Sequence, residues 1–86
     1  MPRVKLFAMF RESAGKSELE IGGRNLGEVL EKLCNEFPKL RTLFFEEGKL
    51  RETVHIMVNG KHFRGDLGIE VKDSDVIAIF PPVSGG

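Results

Sequence analysis

A single long helical pattern, over residues 26–37, constrains the fold more than any other feature of the sequence. Apolar residues recur there at spacings of three and four: Leu26, Val29, Leu30, Leu33 and Phe37. Asn25, followed three residues later by Glu28, predicts a variant capping box, and Pro38 is expected to end the helix. Because this helix has one apolar side only, the rest of the chain must supply a sheet that covers it.

The segments on both sides of the helix alternate as strands do. The predicted strands are residues 4–10, 17–21, 53–58, 61–64 and 75–80. A turn through Gly15 joins the first two, and Asn59-Gly60 is a strong hairpin signal between the third and fourth. Leu40, Leu43 and Phe44 indicate a further short helical turn, stopped by Gly48.

This order of elements predicts an α+β fold of the β-grasp, ubiquitin-like kind. Two hairpins and one helix suit a mixed sheet of about five strands with the helix packed on one face. Val4, Leu6, Ile77 and Ile79 are expected to face the helix. We expect residues 1–80 to form the β-grasp domain and residues 81–86 an extended, flexible C-terminal tail.

Composition excludes several classes of function. The chain has 13 Lys and Arg against 13 Asp and Glu, so no net field attracts nucleic acid. Its one cysteine, Cys34, allows no internal disulfide, which is typical of a reducing compartment. No apolar run approaches the roughly 20 residues of a membrane span, and no signal segment is recognisable. We therefore expect a cytoplasmic protein without a membrane partner.

No catalytic centre is predicted within the domain. Gly15-Lys16-Ser17 is similar to the end of a phosphate-binding loop, but Phe10 stands where that motif needs glycine. Gly22-Gly23 is better explained as a strand-to-helix joint than as a dinucleotide fingerprint. Cys34 lies beside the helical stripe, which favours a core position, and His55 and His62 lack zinc-site spacing. We predict neither a nucleophile nor a metal site.

The tail carries the chemistry that the sequence predicts. Pro81 and Pro82 favour a stiff extended chain, and after Val83 and Ser84 the two glycines lack a Cβ. Six residues after the last strand can project about 20 Å, which is enough to enter another protein's active site. The reactive group is then the α-carboxylate of Gly86, and ATP bound by a partner could activate it as an acyl-adenylate.

These residues also resemble a known family throughout the chain. The most specific match is FPPVSGG at 80–86, and supporting matches are FAMFRESAG at 7–15, EEGKLR at 46–51, VNG at 58–60 and the DSDVIAIFPP run into the tail. Together they resemble the MoaD-type small subunits of molybdopterin synthase, β-grasp sulfur carriers related to ThiS and to ubiquitin. Two departures lie outside the tail: Asn25 replaces a common Thr, and DSD at 73–75 replaces the commoner DGD.

The resemblance implies a two-stage sulfur carrier. An E1-like, MoeB-like adenylyltransferase would adenylate Gly86 with ATP, and a sulfur donor would convert it to a thiocarboxylate. The tail, Pro81, Pro82, Val83, Ser84 and Gly85, would then enter a MoaE-like large subunit and deliver sulfur to cyclic pyranopterin monophosphate. The resemblance further implies a heterotetramer of two large and two small subunits, and no cofactor bound by the carrier itself.

The alternation predicts a docking face on the side of the sheet away from the helix. Its residues are Phe7, Met9, Met57, Ala78 and Phe80, an unusually apolar surface for so small a protein. We expect this face to contact the partner. In the alternative, residues 38–48 partly cover it.

Three other functions stay open on the sequence alone. The thiocarboxylate could serve tRNA thiolation or thiamine-type biosynthesis. Gly86 could instead form isopeptide bonds with lysines, as ubiquitin-like modifiers do. The chain could also be a plain β-grasp interaction domain whose final glycines arise by chance.

Overall fold

A computed structural model describes residues 1–82 and contains three helices and seven strands in that range. In chain order the elements are β1 (Arg3–Leu6), α1 (Ala8–Ala14), β2 (Glu18–Glu20), α2 (Leu26–Glu36), α3 (Pro38–Phe44), β3 (Phe45–Glu46), β4 (Lys49–Leu50), β5 (His55–Val58), β6 (Lys61–Phe63) and β7 (Val76–Phe80).

Five of these strands form one mixed sheet, in the order β2-β1-β7-β5-β6. β1 and β7 are parallel neighbours, whereas β2 pairs antiparallel with β1, and β5 pairs antiparallel with both β7 and β6. The last strand therefore lies in the centre of the sheet, beside the first. With α2 covering one face, this arrangement confirms the predicted β-grasp, ubiquitin-like fold.

Helix α2 begins and ends where the sequence predicts. Asn25 Oδ1 accepts a hydrogen bond from the backbone N–H of Glu28 at 2.8 Å, while the Glu28 carboxylate accepts from the backbone N–H of Arg24 at 3.1 Å. The side chains of Leu26, Val29, Leu30, Leu33 and Cys34 are buried. The predicted capping box is thus present in a variant form, because the Glu28 carboxylate binds the N–H of Arg24 and not that of the N-cap residue Asn25.

The prediction of one strand over residues 4–10, followed directly by a turn through Gly15, is wrong. β1 ends at Leu6, and Ala8–Ala14 form α1, which Gly15 closes with a left-handed φ of 74°. Phe10 is buried, and it enters the core from this helix. Its contact is an edge-to-face pair with Phe44, with ring centroids 5.0 Å apart.

The region after α2 contains more structure than the sequence suggests. The predicted short helical turn is α3, with Pro38 in its first turn. Gly48 does not end it: helix α3 stops at Phe44, and Gly48, with a φ of 78°, lies with Glu47 in the tight turn between β3 and β4. This small hairpin was not predicted.

The core lies between the sheet and the helices. It contains the four side chains that were expected to face α2, namely Val4, Leu6, Ile77 and Ile79, each at most 1% exposed. No buried polar side chain occurs in the described part of the chain. None of the helices within residues 1–82 is long and apolar enough to span a bilayer.

A polar network joins the β5–β6 turn to the start of β7. Asn59, which has a φ of 52°, donates its side-chain amide to Asp75 Oδ1 and accepts the backbone N–H of Val76, both at 2.8 Å. Asp75 Oδ2 accepts the backbone N–H of Lys72 at 2.8 Å. The Asn59-Gly60 turn predicted from the sequence is therefore also an anchor for the central strand.

Candidate functional site

The tail leaves the body from the centre of the sheet. β7 ends at Phe80, and Pro81 and Pro82 follow it without regular secondary structure. The predicted roles of Val83, Ser84, Gly85 and Gly86 lie outside the described residues. The candidate site that can be described is therefore the surface from which the tail emerges.

That surface is a shallow apolar cavity on the open face of the sheet, which we call the open-face cavity. Its volume is about 450 Å³, and it is lined by Phe7, Ala8, Met57, Ala78, Phe80, Pro81 and Pro82. Phe7 and Phe80 meet edge to face with their centroids 6.4 Å apart. Phe7 is 42% exposed, an unusual exposure for a phenylalanine. The first two tail residues are thus part of the same apolar surface.

Four of the five predicted docking residues line this cavity, and one does not. Phe7, Met57, Ala78 and Phe80 are together, but Met9 lies on α1 and is not among the lining residues. The strand that was expected to carry Phe7 and Met9 on one face ends before both. No residue of 38–48 lines the cavity, so the alternative, in which that segment covers this surface, is not supported for the described residues.

The backbone turns sharply where β1 passes into α1. Phe7 donates its backbone N–H to the carbonyl of Ile79 at 3.3 Å, which continues the pairing of β1 with β7. Ala8 then adopts a φ of 52°, a conformation that costs a residue with a Cβ about 1–2 kcal/mol. The turn leaves Phe7 on the open face while directing Phe10 into the core. The exposed position of the Phe7 ring beside the tail therefore requires a strained backbone at Ala8.

Two histidines lie beside the cavity without lining it, and both line a neighbouring cleft. The ring of His55 stacks on that of Phe80, with centroids 5.7 Å apart and planes 16° from parallel. His55 Nδ1 lies 3.3 Å from His62 Nε2. His55 precedes the buried Ile56 on β5 and so lies on the open face, and sequence reasoning missed its approach to His62. The signal was available, because a two-residue turn at Asn59-Gly60 pairs Met57 with His62 and so brings His55 and His62 to the same face.

Charged side chains border the opposite side of the open face. Arg3 on β1 forms an ion pair with Glu18 on β2 at 2.8 Å and lies 4.0 Å from Glu20. All three side chains are substantially exposed, so these pairs contribute little to stability. They make the β1–β2 edge of the sheet polar, and none of the three lines the apolar cavity.

The other candidate chemical groups have structural roles. Cys34 is buried, and its burial raises the pKa of the thiol to about 11, so the reactive thiolate is scarce at neutral pH. Gly15 ends α1 instead of preceding a helix, so Gly15-Lys16-Ser17 lacks the geometry of a phosphate-binding loop. Within residues 1–82, no group of three or more His, Cys, Asp and Glu side chains could hold a metal ion.

Gly23 has a packing role at the joint between β2 and α2. A Cβ built at this position would lie 2.8 Å from Cγ2 of Val29 and 3.0 Å from its backbone nitrogen. Glycine is therefore needed for the close approach of the chain to the first turn of the helix. The interpretation of Gly22-Gly23 as a joint is confirmed.

Comparison with known proteins places this geometry in a family. The ThiS family model matches residues 4–86. The small archaeal modifier protein 1 of Methanosarcina acetivorans has a similar solution structure, with a TM-score of 0.86 and 41% sequence identity over 99% of this chain and 95% of that one. A chain of the BexX/CysO complex of Amycolatopsis orientalis superposes with a TM-score of 0.87 at 27% identity, with all of both chains covered.

A third similar protein is named for a biosynthetic role. The molybdopterin synthase sulfur carrier subunit of Dictyostelium discoideum is 31% identical over 84 residues, covering 98% of this chain and 94% of that protein. Relatives therefore include both modifiers and a sulfur carrier. With a matching family model and relatives that align over nearly their whole length, this chain belongs to the ThiS family of ubiquitin-like sulfur carriers and modifiers.

Proposed function

We propose that this protein is a sulfur carrier that serves as the small subunit of molybdopterin synthase. In this function the carboxylate of Gly86 attacks the α-phosphate of ATP on an E1-like adenylyltransferase, which forms an acyl-adenylate and releases pyrophosphate. A hydrosulfide equivalent from a sulfur donor then displaces AMP and leaves a thiocarboxylate. In the large subunit, that sulfur passes to cyclic pyranopterin monophosphate, and water restores the carboxylate.

The observation that carries the proposal is the continuity between the open-face cavity and the tail. Phe7 and Phe80 line the cavity together with Pro81 and Pro82, the first residues of the tail. A partner that covers this apolar surface therefore also receives the start of the tail, and its own active site can be aligned with the tail's end. Burial of exposed aromatic side chains at an interface supplies the binding free energy for this alignment.

The domain itself contributes binding and not catalysis in this proposal. Its cysteine is buried, and its two histidines contact each other beside the cavity. The adenylating enzyme and the large subunit provide the catalytic groups, and each would bind the same face at a different stage. An assembly of two large and two small subunits, and a cytoplasmic location, belong to the same proposal.

A second candidate is protein modification through an isopeptide bond at Gly86. The 41% identity to a small archaeal modifier protein favours it. Both functions begin with adenylation of the terminal carboxylate, and they differ only in the nucleophile that displaces AMP: a sulfur donor in one case and a lysine amine in the other.

Intact-mass spectrometry of protein isolated without thiol reagents tests the proposal. We expect a fraction of the chains to carry one sulfur in place of one oxygen, and this fraction to disappear when the adenylyltransferase gene is deleted. Lysine conjugates with no thiocarboxylate would overturn the carrier function in favour of the modifier. Removal of Gly85 and Gly86 should abolish both products, and their persistence would contradict any role of the terminal carboxylate.

The partner surface has a separate test. Phe7→Glu places a charge in the open-face cavity, and we expect it to weaken binding to the large subunit by at least about 30-fold, the effect of losing an interface residue worth about 2 kcal/mol. Ile69→Glu is the matched control, because Ile69 is a comparably exposed apolar residue that does not line this cavity. Equal affinities of the two folded variants would show that the partner binds elsewhere.

A further inference from the structure

We propose that His55 and His62 form a two-histidine binding site for Zn²⁺ at the rim of the open face. The site involves residues that neither the tail chemistry nor the fold requires. Its ligands would be His55 Nδ1 from β5 and His62 Nε2 from β6, with water in the two remaining positions of a tetrahedron.

The separation of the two ring nitrogens carries this inference. They lie 3.3 Å apart. Two nitrogens bound to one tetrahedral zinc at the usual Zn–N distance of about 2.0–2.1 Å are separated by about 3.3–3.4 Å. The two rings, as they are oriented, therefore already hold a pair of nitrogens at the spacing of two zinc ligands.

Metal binding needs only a small change of side-chain orientation. In the free protein one ring must donate an N–H to the other, and the ring planes are tilted by 58°. Zinc would replace that proton, and both lone pairs would have to point to a common centre. The χ2 torsion of histidine is broad, so the rings can turn this way while the strands remain fixed.

The register of the hairpin keeps the two residues together. Val58 pairs with Lys61, and Met57 pairs with His62, across the Asn59-Gly60 turn. His55, two residues before Met57 on β5, therefore projects from the same face and diagonally across from His62. Stacking on Phe80 limits the movement of the His55 ring away from His62. Zinc would join β5 to β6 without distorting the sheet.

The donor atoms, two imidazole nitrogens, make this a site for zinc and not for a hard cation. The adjoining cleft contains Lys49, Arg51 and Arg64 against Glu52 and Asp66. The excess of cationic side chains acts on every dication alike, so selectivity against Mg²⁺ and Ca²⁺, which prefer oxygen ligands, comes from the two nitrogen donors. Neutral imidazole instead suits zinc, and two ligands leave positions that water or a donor from another molecule can fill.

Titration of the intact chain with ZnCl₂ tests the proposal by calorimetry and by NMR of the histidine rings. We expect one Zn²⁺ per chain, with selective shifts of the His55 and His62 ring signals. Each of His55→Gln and His62→Gln should weaken binding at least about tenfold, the loss of one of two ligands. Lys61→Gln, on the same hairpin, is the control and should bind as the wild type does. MgCl₂ should cause no shift.

A thermal measurement provides the second readout. At a free zinc concentration about ten times Kd, the Tm of the wild type should rise by up to about 10 °C, and that of His62→Gln should not. Undiminished zinc affinity in both histidine variants would overturn the site, as would the absence of any ring shift at millimolar zinc. In that last case the contact between the rings is a hydrogen bond and nothing more.

Discussion

Replacing Asn59 by alanine should test how firmly the central strand is anchored. The variant loses two hydrogen bonds of 2.8 Å, to Asp75 and to the backbone N–H of Val76. Each is worth about 0.5–1.5 kcal/mol, and alanine at a φ of 52° costs about 1 kcal/mol more. The free energy of unfolding should therefore fall by about 2–4 kcal/mol. For a domain of this size the Tm should fall by at least about 8 °C.

Urea unfolding followed by circular dichroism measures this loss, and Asn59→Gly separates its two causes. Glycine loses the same hydrogen bonds but adopts a positive φ freely, so it should be more stable than the alanine variant by about 1 kcal/mol. If Asn59→Ala lies within about 0.5 kcal/mol of the wild type, the polar network does not anchor β7, and the reasoning from hydrogen-bond geometry is refuted.

Three further changes have defined outcomes. Gly23→Ala should lose about 1–3 kcal/mol of stability, because its Cβ would meet Val29 at 2.8 Å, whereas Gly22→Ala has no atom nearer than 3.8 Å and should unfold as the wild type does. Native Cys34, with its pKa raised to about 11 by burial, should react with iodoacetamide at pH 8 at least about 100-fold more slowly than in urea, and similar rates would contradict its burial. The backbone N–H of Lys72 and the Asn59 amide lower the pKa of Asp75, so the stability it contributes is complete above its unfolded pKa of about 4 and is lost as pH falls through the lower folded value. Asp75→Asn should flatten the dependence of stability on pH below about pH 4, and an unchanged slope would contradict this assignment.

The sequence correctly predicted the elements in which the spacing of apolar residues fits only one kind of secondary structure. The apolar stripe of α2 and the alternation in β7 each fit one type of element, and the Asn59-Gly60 turn fixes the register of β5 with β6. These features together specify the β-grasp arrangement. They also placed Phe80 and Met57 on the open face correctly, because alternation decides which side of a strand each residue occupies.

The spacing of apolar residues does not decide between a strand and a helix for the segment after β1. Residues 7–10 are all apolar, so they fit an extended strand and a helix equally well. What decides in favour of α1 is the left-handed turn at Ala8, which alanine does not signal, and the packing of Phe10 on Phe44. As a result, Met9, which was predicted to lie on the docking face of the sheet, lies on helix α1 instead.

Short-range patterns also missed contacts that only the assembled sheet creates. The β3–β4 hairpin has two residues in each strand, too few for an alternation to be recognised. The approach of His55 to His62 follows from a register that was predicted but not carried through to side-chain positions. The chemistry proposed for the tail was inferred from residue types alone and stays a prediction, because residues 83–86 lie outside the described part of the chain.

The central position of β7 determines how the body responds to a force applied through the tail. Tension at Pro81 acts along a strand bonded on one side to β1 and on the other to β5. The hydrogen bonds of both ladders lie across the direction of pull, so they must shear together and cannot open one at a time as at the end of a hairpin. Mechanical unfolding from this end should therefore be slow, so the domain should stay folded during the entry of the tail into a partner that we propose.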